Sequence, residues 1–158
     1  MTNNVTNIVI AGLGGQGVLK ASDIIADVAF DSSLDVKKSE VHGMSQRGGS
    51  VASDVRFGRR VFSPMVPEGE ADFLVVVSAD QVPVNQYMLR PGGVLIDPSQ
   101  IDESKLRNKK SINVALLGVL SRNLPFTEQA WADAIRRNLP EALYETNLDA
   151  FQLGKGTK

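Results

Sequence analysis

Apolar and polar positions along this chain follow two periods, and the stretches that follow neither are the informative ones. Asn7-Ile8-Val9-Ile10-Ala11 is a β-branched run of strand length. It leads through Gly12-Leu13-Gly14-Gly15-Gln16-Gly17 into residues 18–30, where Leu19, Ala26 and Phe30, with Ile25 and Ala29 beside them, recur at helical spacing. Residues 35–41 read as a second strand. In 50–56, Val51, Ser53 and Val55 alternate with Ala52, Asp54 and Arg56, as in a half-buried strand, and 57–62 turns and pairs back as a hairpin. Residues 63–70 form a proline-punctuated loop. The most hydrophobic run, 71–79, predicts a central strand buried on both faces. Asp80 caps a short helix reaching about Leu89, Arg90-Pro91-Gly92-Gly93 is a turn, and 94–97 is another interior strand. Residues 112–124 and 127–139 read as helices, the second capped by Thr127 with Glu128 in its first turn and Trp131 facing inward as core. Pro140 opens a last helix that Gly154 ends, and the tail beyond it frays. This succession predicts an α/β fold: a Rossmann-like, doubly wound, mostly parallel sheet with a β-hairpin element and C-terminal helices, in a single domain over 1–158.

Two breaks in the pattern carry the candidate chemistry. The first, 12–17, lies between a strand and a helix, the context that a G-x-G-x-x-G match requires. Gly12 permits the tight turn, Gly14 lets a backbone or ligand come close, and Gly17 lets the helix pack on the strand. Free N–H groups at the helix start suit an anion. Gly12, Gly14, Gly15, Gln16 and Gly17 are therefore candidate cofactor-binding residues. Glu40 falls where a dinucleotide-binding domain places its ribose acid, about 20 residues on. A purely structural use of the glycines stays open. The second break, Val41-His42-Gly43-Met44-Ser45-Gln46-Arg47-Gly48-Gly49-Ser50, holds the only histidine and three glycines. Arginine offers a planar fork of donors, and such loops commonly carry contacts. His42, Met44, Ser45, Gln46, Arg47, Gly48 and Gly49 are candidate partner or coenzyme A contacts, with a solvated flexible connection as the plainer reading.

Composition narrows the field. At 158 residues with 42% hydrophobic positions, the chain can bury the core of one domain. Lys+Arg at 17 against Asp+Glu at 18 leaves no basic field to draw in nucleic acid. No apolar stretch reaches the roughly 18 residues that span a bilayer, and no signal-peptide layout opens the chain, so a cytoplasmic protein without membrane contact is expected. The absence of cysteine removes thiol nucleophiles and Fe–S ligation, and one histidine leaves no metal site. No serine, histidine and acid set suggests a catalytic centre; no catalytic residue is assigned.

The two glycine motifs together resemble a known family. Gly12-Leu13-Gly14-Gly15-Gln16-Gly17 and Ser39-Glu40-Val41-His42-Gly43-Met44-Ser45-Gln46-Arg47-Gly48-Gly49-Ser50 look like the γ component of the 2-oxoacid:ferredoxin oxidoreductases, most of all the small β subunit of the indolepyruvate enzymes. Ser63-Pro64, Pro67-Glu68-Gly69-Glu70-Ala71-Asp72, Arg90-Pro91-Gly92-Gly93, Asn113-Val114-Ala115-Leu116-Leu117-Gly118 and Asn147-Leu148-Asp149-Ala150-Phe151 extend the likeness over nearly the whole chain. The resemblance implies an oxidoreductase complex that decarboxylates a 2-oxoacid of indolepyruvate or pyruvate type with thiamine diphosphate and magnesium. It forms an acyl-CoA and passes electrons through Fe–S clusters to ferredoxin. It also implies that larger partner subunits hold those cofactors, that this chain alone binds none and is inactive, and that nicotinamide is absent from 12–17. One departure stands out. After Ile96-Asp97-Pro98-Ser99 the family carries a further strand and helix, where this sequence has only 100–111 and an abrupt join near 108–112. A true deletion and a missing stretch are both open. Two other function classes remain beside the complex subunit: a stand-alone NAD(P)-binding oxidoreductase, and a nucleotide-sensing module using the same turn.

Overall fold

The computed structural model of the chain describes residues 4–42 and 49–156. Five strands form one sheet: β1 (Val5–Leu13), β2 (Asp35–His42), β3 (Ser50–Gly58), β4 (Ala71–Val76) and β5 (Leu89–Ile96), in the order β2-β3-β1-β4-β5. β1 pairs parallel with β4 and β4 with β5, while β3 runs antiparallel to both β1 and β2.

The α/β, Rossmann-like class therefore stands, but the sheet is mixed rather than mostly parallel. The reason lies in β3. Residues 57–62 do not pair back; instead β3 forms its hairpin with β2, Val36 facing Phe57 and Val41 facing Ala52. The hairpin turns the chain round, so β3 inserts between β2 and β1 in the antiparallel sense.

Alternation along the strands sends two residue sets to opposite faces. On one face Ile8, Ile10, Val55, Phe57, Val75 and Ile96 pack against four helices: α1 (Val18–Asp31), α3 (Ile112–Ser121), α4 (Glu128–Asn138) and α5 (Tyr144–Lys155). On the other, Val9, Leu74 and Val76 meet Val66 of the 59–70 connection, together with Val82 and Met88. These last two lie in or beside the short α2 (Val82–Asn85), which is flanked by 3₁₀ turns at Ala79–Gln81 and Gln86–Met88. Among the described residues the long helices thus cover one face only, a departure from a doubly wound layout: neither the β3-to-β4 nor the β4-to-β5 connection includes a long helix.

Several local expectations shift for identifiable reasons. The buried stripe of α1 runs through Val18, Ala21, Ile24, Ile25 and Val28, and Phe30 is 74% exposed. Arg90–Gly93 are not a turn between elements but an outward loop inside β5, because Ala71 pairs with Leu89 and Phe73 already with Val94. Arg90 Nε seals that loop by donating to Asp72 Oδ1 at 2.7 Å. Gly154 lies within α5 instead of ending it, and Gly156 is the cap. Thr127 caps α4 as expected, its hydroxyl accepting from Ala130 N–H at 3.0 Å. Trp131 is 1% exposed, packed edge-on to Phe126 and tilted against Phe151. Beyond β5, residues 97–111 make three short 3₁₀ turns before α3, and β5 is an edge strand of the sheet.

Candidate functional site

Both glycine motifs arrive at one end of the sheet. β1 and β4 end there, β2 closes there, and β3 starts there, so Gly12 lies opposite Val51 and Leu13 opposite Ser50. The pairing continues one step past the strands: Gly14 N–H donates to Gly49 C=O at 2.9 Å. Motifs separated by more than thirty positions in sequence are thereby joined backbone to backbone, at the carboxyl ends of the parallel strands where α/β sheets bind ligands.

The turn is built from within. Leu13 N–H donates to Gln16 Oε1 at 2.7 Å, and Gln16 N–H donates to Leu13 C=O at 3.2 Å. The Gln16 side-chain oxygen thus closes the turn. Gly17 has φ +78°, and a Cβ there would sit 2.4 Å from Asn113 Nδ2. That amide donates to Gly17 C=O at 3.1 Å, locking the start of α3 onto the start of α1. Asn113, 7% exposed in an otherwise apolar helix, was not singled out as a site residue. Its signal was the lone amide in the run from Ile112 to Gly118. A second tie links Ser50 Oγ to Gln81 Oε1 at 2.9 Å, fastening β3 to the turn after β4.

In front of α1 lies a crevice of ≈ 250 Å³ lined by Leu13, Gly14, Gly15, Gly17, Val18, Leu19, Lys20 and Val51. The first bond into the helix is Ala21 N–H to Gly17 C=O at 3.0 Å, so the amides of Val18, Leu19 and Lys20 precede it with no backbone partner among the described residues. Lys20 is exposed beside them, and the first turn carries no acid. Charge, dipole and open donors all favour an anion.

The remaining candidates divide. His42 ends β2 opposite Val51. Gly43, Met44, Ser45, Gln46, Arg47 and Gly48 lie outside the described residues. Glu40 is exposed on β2, with β3 between it and β1. At about 4.8 Å per strand it stands one strand further from the turn than a ribose-binding acid would. Insertion of β3 is what displaces it.

Perturbed acids lie elsewhere. Burial pushes the Asp54 carboxyl up, against the Val66 N–H and the Arg56 charge that pull it down. The Ser104 hydroxyl and amide hold Asp102 down in a local turn, and Lys155 with Gln152 does the same for Glu128. Neither of these latter two acids faces the glycine turn. Among the described residues no three His, Cys, Asp or Glu side chains cluster to hold a metal, and no helix is long and apolar enough to cross a membrane.

Comparison with known proteins gives this geometry its context. Residues 7–156 match the model of the family described as pyruvate ferredoxin/flavodoxin oxidoreductase. The indolepyruvate oxidoreductase subunit IorB of Thermococcus kodakarensis is 35% identical, covering 94% of this chain and 93% of its own. That alignment runs over 190 positions, so about 40 of them have no counterpart in this chain. The γ subunit of a keto/oxoacid ferredoxin oxidoreductase from Geobacter sulfurreducens shares the fold with a TM-score of 0.77 at 23% identity, covering 96% and 94% of the two chains. A 2-oxoglutarate:ferredoxin oxidoreductase from Magnetococcus marinus, with 2-oxoglutarate, coenzyme A and succinyl-CoA bound, matches with a TM-score of 0.83 at 18% identity. The match covers 98% of this chain, which spans only 31% of that longer polypeptide. The chain belongs to the pyruvate ferredoxin/flavodoxin oxidoreductase family, as a subunit of a 2-oxoacid:ferredoxin oxidoreductase complex.

Proposed function

We propose that this subunit holds the phosphates of coenzyme A at the 12–17 turn and meets the thiamine-bearing subunit through the neighbouring 42–49 connection. The observation that carries the reading is the Gly14–Gly49 backbone bond, which sets the open amides of α1 beside the end of that connection. Gly12, Gly14, Gly15 and Gly17 shape the turn, Gln16 braces it, and the first-turn amides with Lys20 receive the anion. His42, Met44, Ser45, Gln46, Arg47, Gly48 and Gly49 face the larger subunit, with Arg47 donating to a carboxylate, a carbonyl or a phosphate there. Thiamine diphosphate, magnesium and the Fe–S clusters belong to partner subunits; the absence of cysteine supports this for the clusters. Ferredoxin is reached through them. The 2-oxoacid is an aryl pyruvate of the indolepyruvate class, supported by the Thermococcus relative.

Calorimetric titration of the assembled complex with coenzyme A tests the turn. Gly14→Val should weaken binding at least tenfold while subunit assembly persists. Equal affinity in the two complexes would leave the turn a purely structural device. Arg47→Ala should leave this subunit folded and weaken assembly or turnover by about 2–5 kcal/mol if it meets a buried charge. Unchanged assembly and unchanged turnover would assign Arg47 to a local ion pair. With Glu40 displaced, the nicotinamide reading keeps only the glycine turn in its favour.

A further inference from the structure

The face without long helices carries a feature that the glycine turn does not use. A cleft of ≈ 360 Å³ opens there between β2, β3 and the chain segments that lie over the sheet. Its walls include Val9, Val41, Met65, Val66, Tyr87 and Met88, and Asp54 and Glu68 also line it. Three wall residues project strongly into solvent: Val41 is 54% exposed, Met65 57% and Tyr87 60%. Large apolar side chains grouped around one opening are more than the scattered exposure every surface shows.

Asp54 is the unusual member. It is 8% exposed, and its Oδ2 accepts from Val66 N–H at 2.9 Å. Among the described residues Oδ1 accepts nothing. The nearest charge of opposite sign, Arg56, is already committed: its Nε donates to Asn7 Oδ1 at 2.8 Å and its Nη1 to Ser63 C=O at 2.8 Å. Among the described lining residues there is no lysine, arginine or histidine. The cleft therefore has apolar walls and two acids, with no cation among its described lining residues. Burial raises the Asp54 pKa, the mark of a carboxylate short of compensation.

We propose that this cleft is a docking site for the larger subunit of the complex, which inserts an arginine or lysine toward Asp54 and lays apolar side chains over Val41, Met65 and Tyr87. The complementarity is specific to a cation on an apolar stem. The stem packs along the walls while the head reaches the carboxylate. Arginine suits such a place because its guanidinium is weakly hydrated and binds carboxylates in a fork. The layout, an anchor pocket ringed by apolar groups that exclude water, is that of an interface hot spot. A macromolecular occupant is favoured over a small ligand because the three exposed side chains would stay in water around a ligand that only filled the cleft. The proposal is independent of where coenzyme A binds.

The test uses this chain and its larger subunit purified separately, with affinity measured by surface-immobilised binding and checked by sedimentation. Met65→Lys and Tyr87→Lys alter exposed positions, leave the fold intact and set a like charge against the incoming cation. Each should weaken association at least tenfold. Asp54→Asn keeps an acceptor for Val66 N–H and removes the charge; it should weaken association tenfold or more while the isolated chain melts no lower than wild type. A photoreactive residue at position 87 should capture a segment of the larger subunit with an arginine or lysine beside the captured site. Unchanged affinity in the two lysine variants overturns the proposal, as does capture of a segment without a basic residue. Capture of a second copy of this chain overturns it in favour of self-association. Failure of the coenzyme A reading would appear separately, in the Gly14→Val titration, with the lysine variants still impaired.

Discussion

At the scale of single residues, Gly118 and Gly154 show how much a missing side chain can determine. A Cβ on Gly118 would stand 2.1 Å from Phe151 C=O, and one on Gly154 would stand 1.7 Å from Ala115 C=O. The two glycines face each other's helices, so α3 and α5 cross at near backbone contact. Gly154→Ala should cost about 3 kcal/mol, the upper range for overpacking, or prevent folding altogether. Gly156→Ala is the matched control. Its Cβ would meet nothing closer than Gln152 C=O at 3.4 Å, with φ −81°. Urea denaturation of the pair should show a large loss for the first and little change for the second. Asp54 supplies a pH signature. Its folded pKa lies above the usual 3.8, so the folded state holds the proton more tightly than the unfolded chain. Stability conferred by that proton is complete below the unfolded value and declines as pH rises through it toward the folded value. Urea midpoints of wild type should therefore fall relative to Asp54→Asn from about pH 4 upward and then run parallel. A constant offset across the whole range would refute the assignment. Much at this scale was legible in sequence: Trp131 as core and Thr127 as a cap follow from local pattern. Gly154 was misjudged because a glycine near a helix end has two uses, and only the partner helix decides between them. Phe30 was misplaced because helical spacing alone cannot tell which of two adjacent stripes turns inward.

At the scale of elements, most helices and strands were placed within a few residues of where they lie, the 57–62 return strand and the start of β5 excepted, while their pairing was not. Strand, glycine turn and helix occur in β1 and α1 as expected. The hairpin exists, but between β2 and β3, across a connection whose composition looked like a pause in structure. Alternation in 50–56 specified a strand with two faces; nothing in it specified two antiparallel neighbours. That placement then removes Glu40 from the reach of the turn and with it the dinucleotide reading. Termini of elements offer a clean measurement. Thr127→Ala should cost about 1 kcal/mol, since the Ala130 amide loses its acceptor. Glu128, next to it, ties α4 to α5 through Lys155 at 3.0 Å and through Gln152. Its pKa is lowered, so its contribution is present above the ordinary carboxylate range and is lost as pH falls through the lower folded value. Glu128→Gln should show a small drop in melting temperature at neutral pH that vanishes in acid.

For the molecule as a whole, the division of its faces organises everything else. Helices on one side hold the larger core; connections on the other leave an acidic, apolar-walled cleft; and the glycine turn sits at the strand ends between them. The two glycine motifs in the sequence pointed to a subunit of a 2-oxoacid:ferredoxin oxidoreductase complex, and the family match agrees. The sequence could not convey the cleft, because Val9, Asp54, Met65 and Tyr87 come from four separate segments. One consequence of the Gly14–Gly49 bond remains. On the proposed function, that bond ties the coenzyme A turn to the end of the subunit-facing connection, so that the two affinities are coupled. The effect of the larger subunit on coenzyme A affinity should then be mirrored by an equal effect of coenzyme A on subunit affinity, with a factor different from one. Gly49→Pro keeps the Gly49 carbonyl but stiffens its backbone, so it should alter that factor before it alters either affinity alone. Under the proposed function, the coupling between turn and connection in this chain runs through one amide and one carbonyl, with no side chain required to carry it.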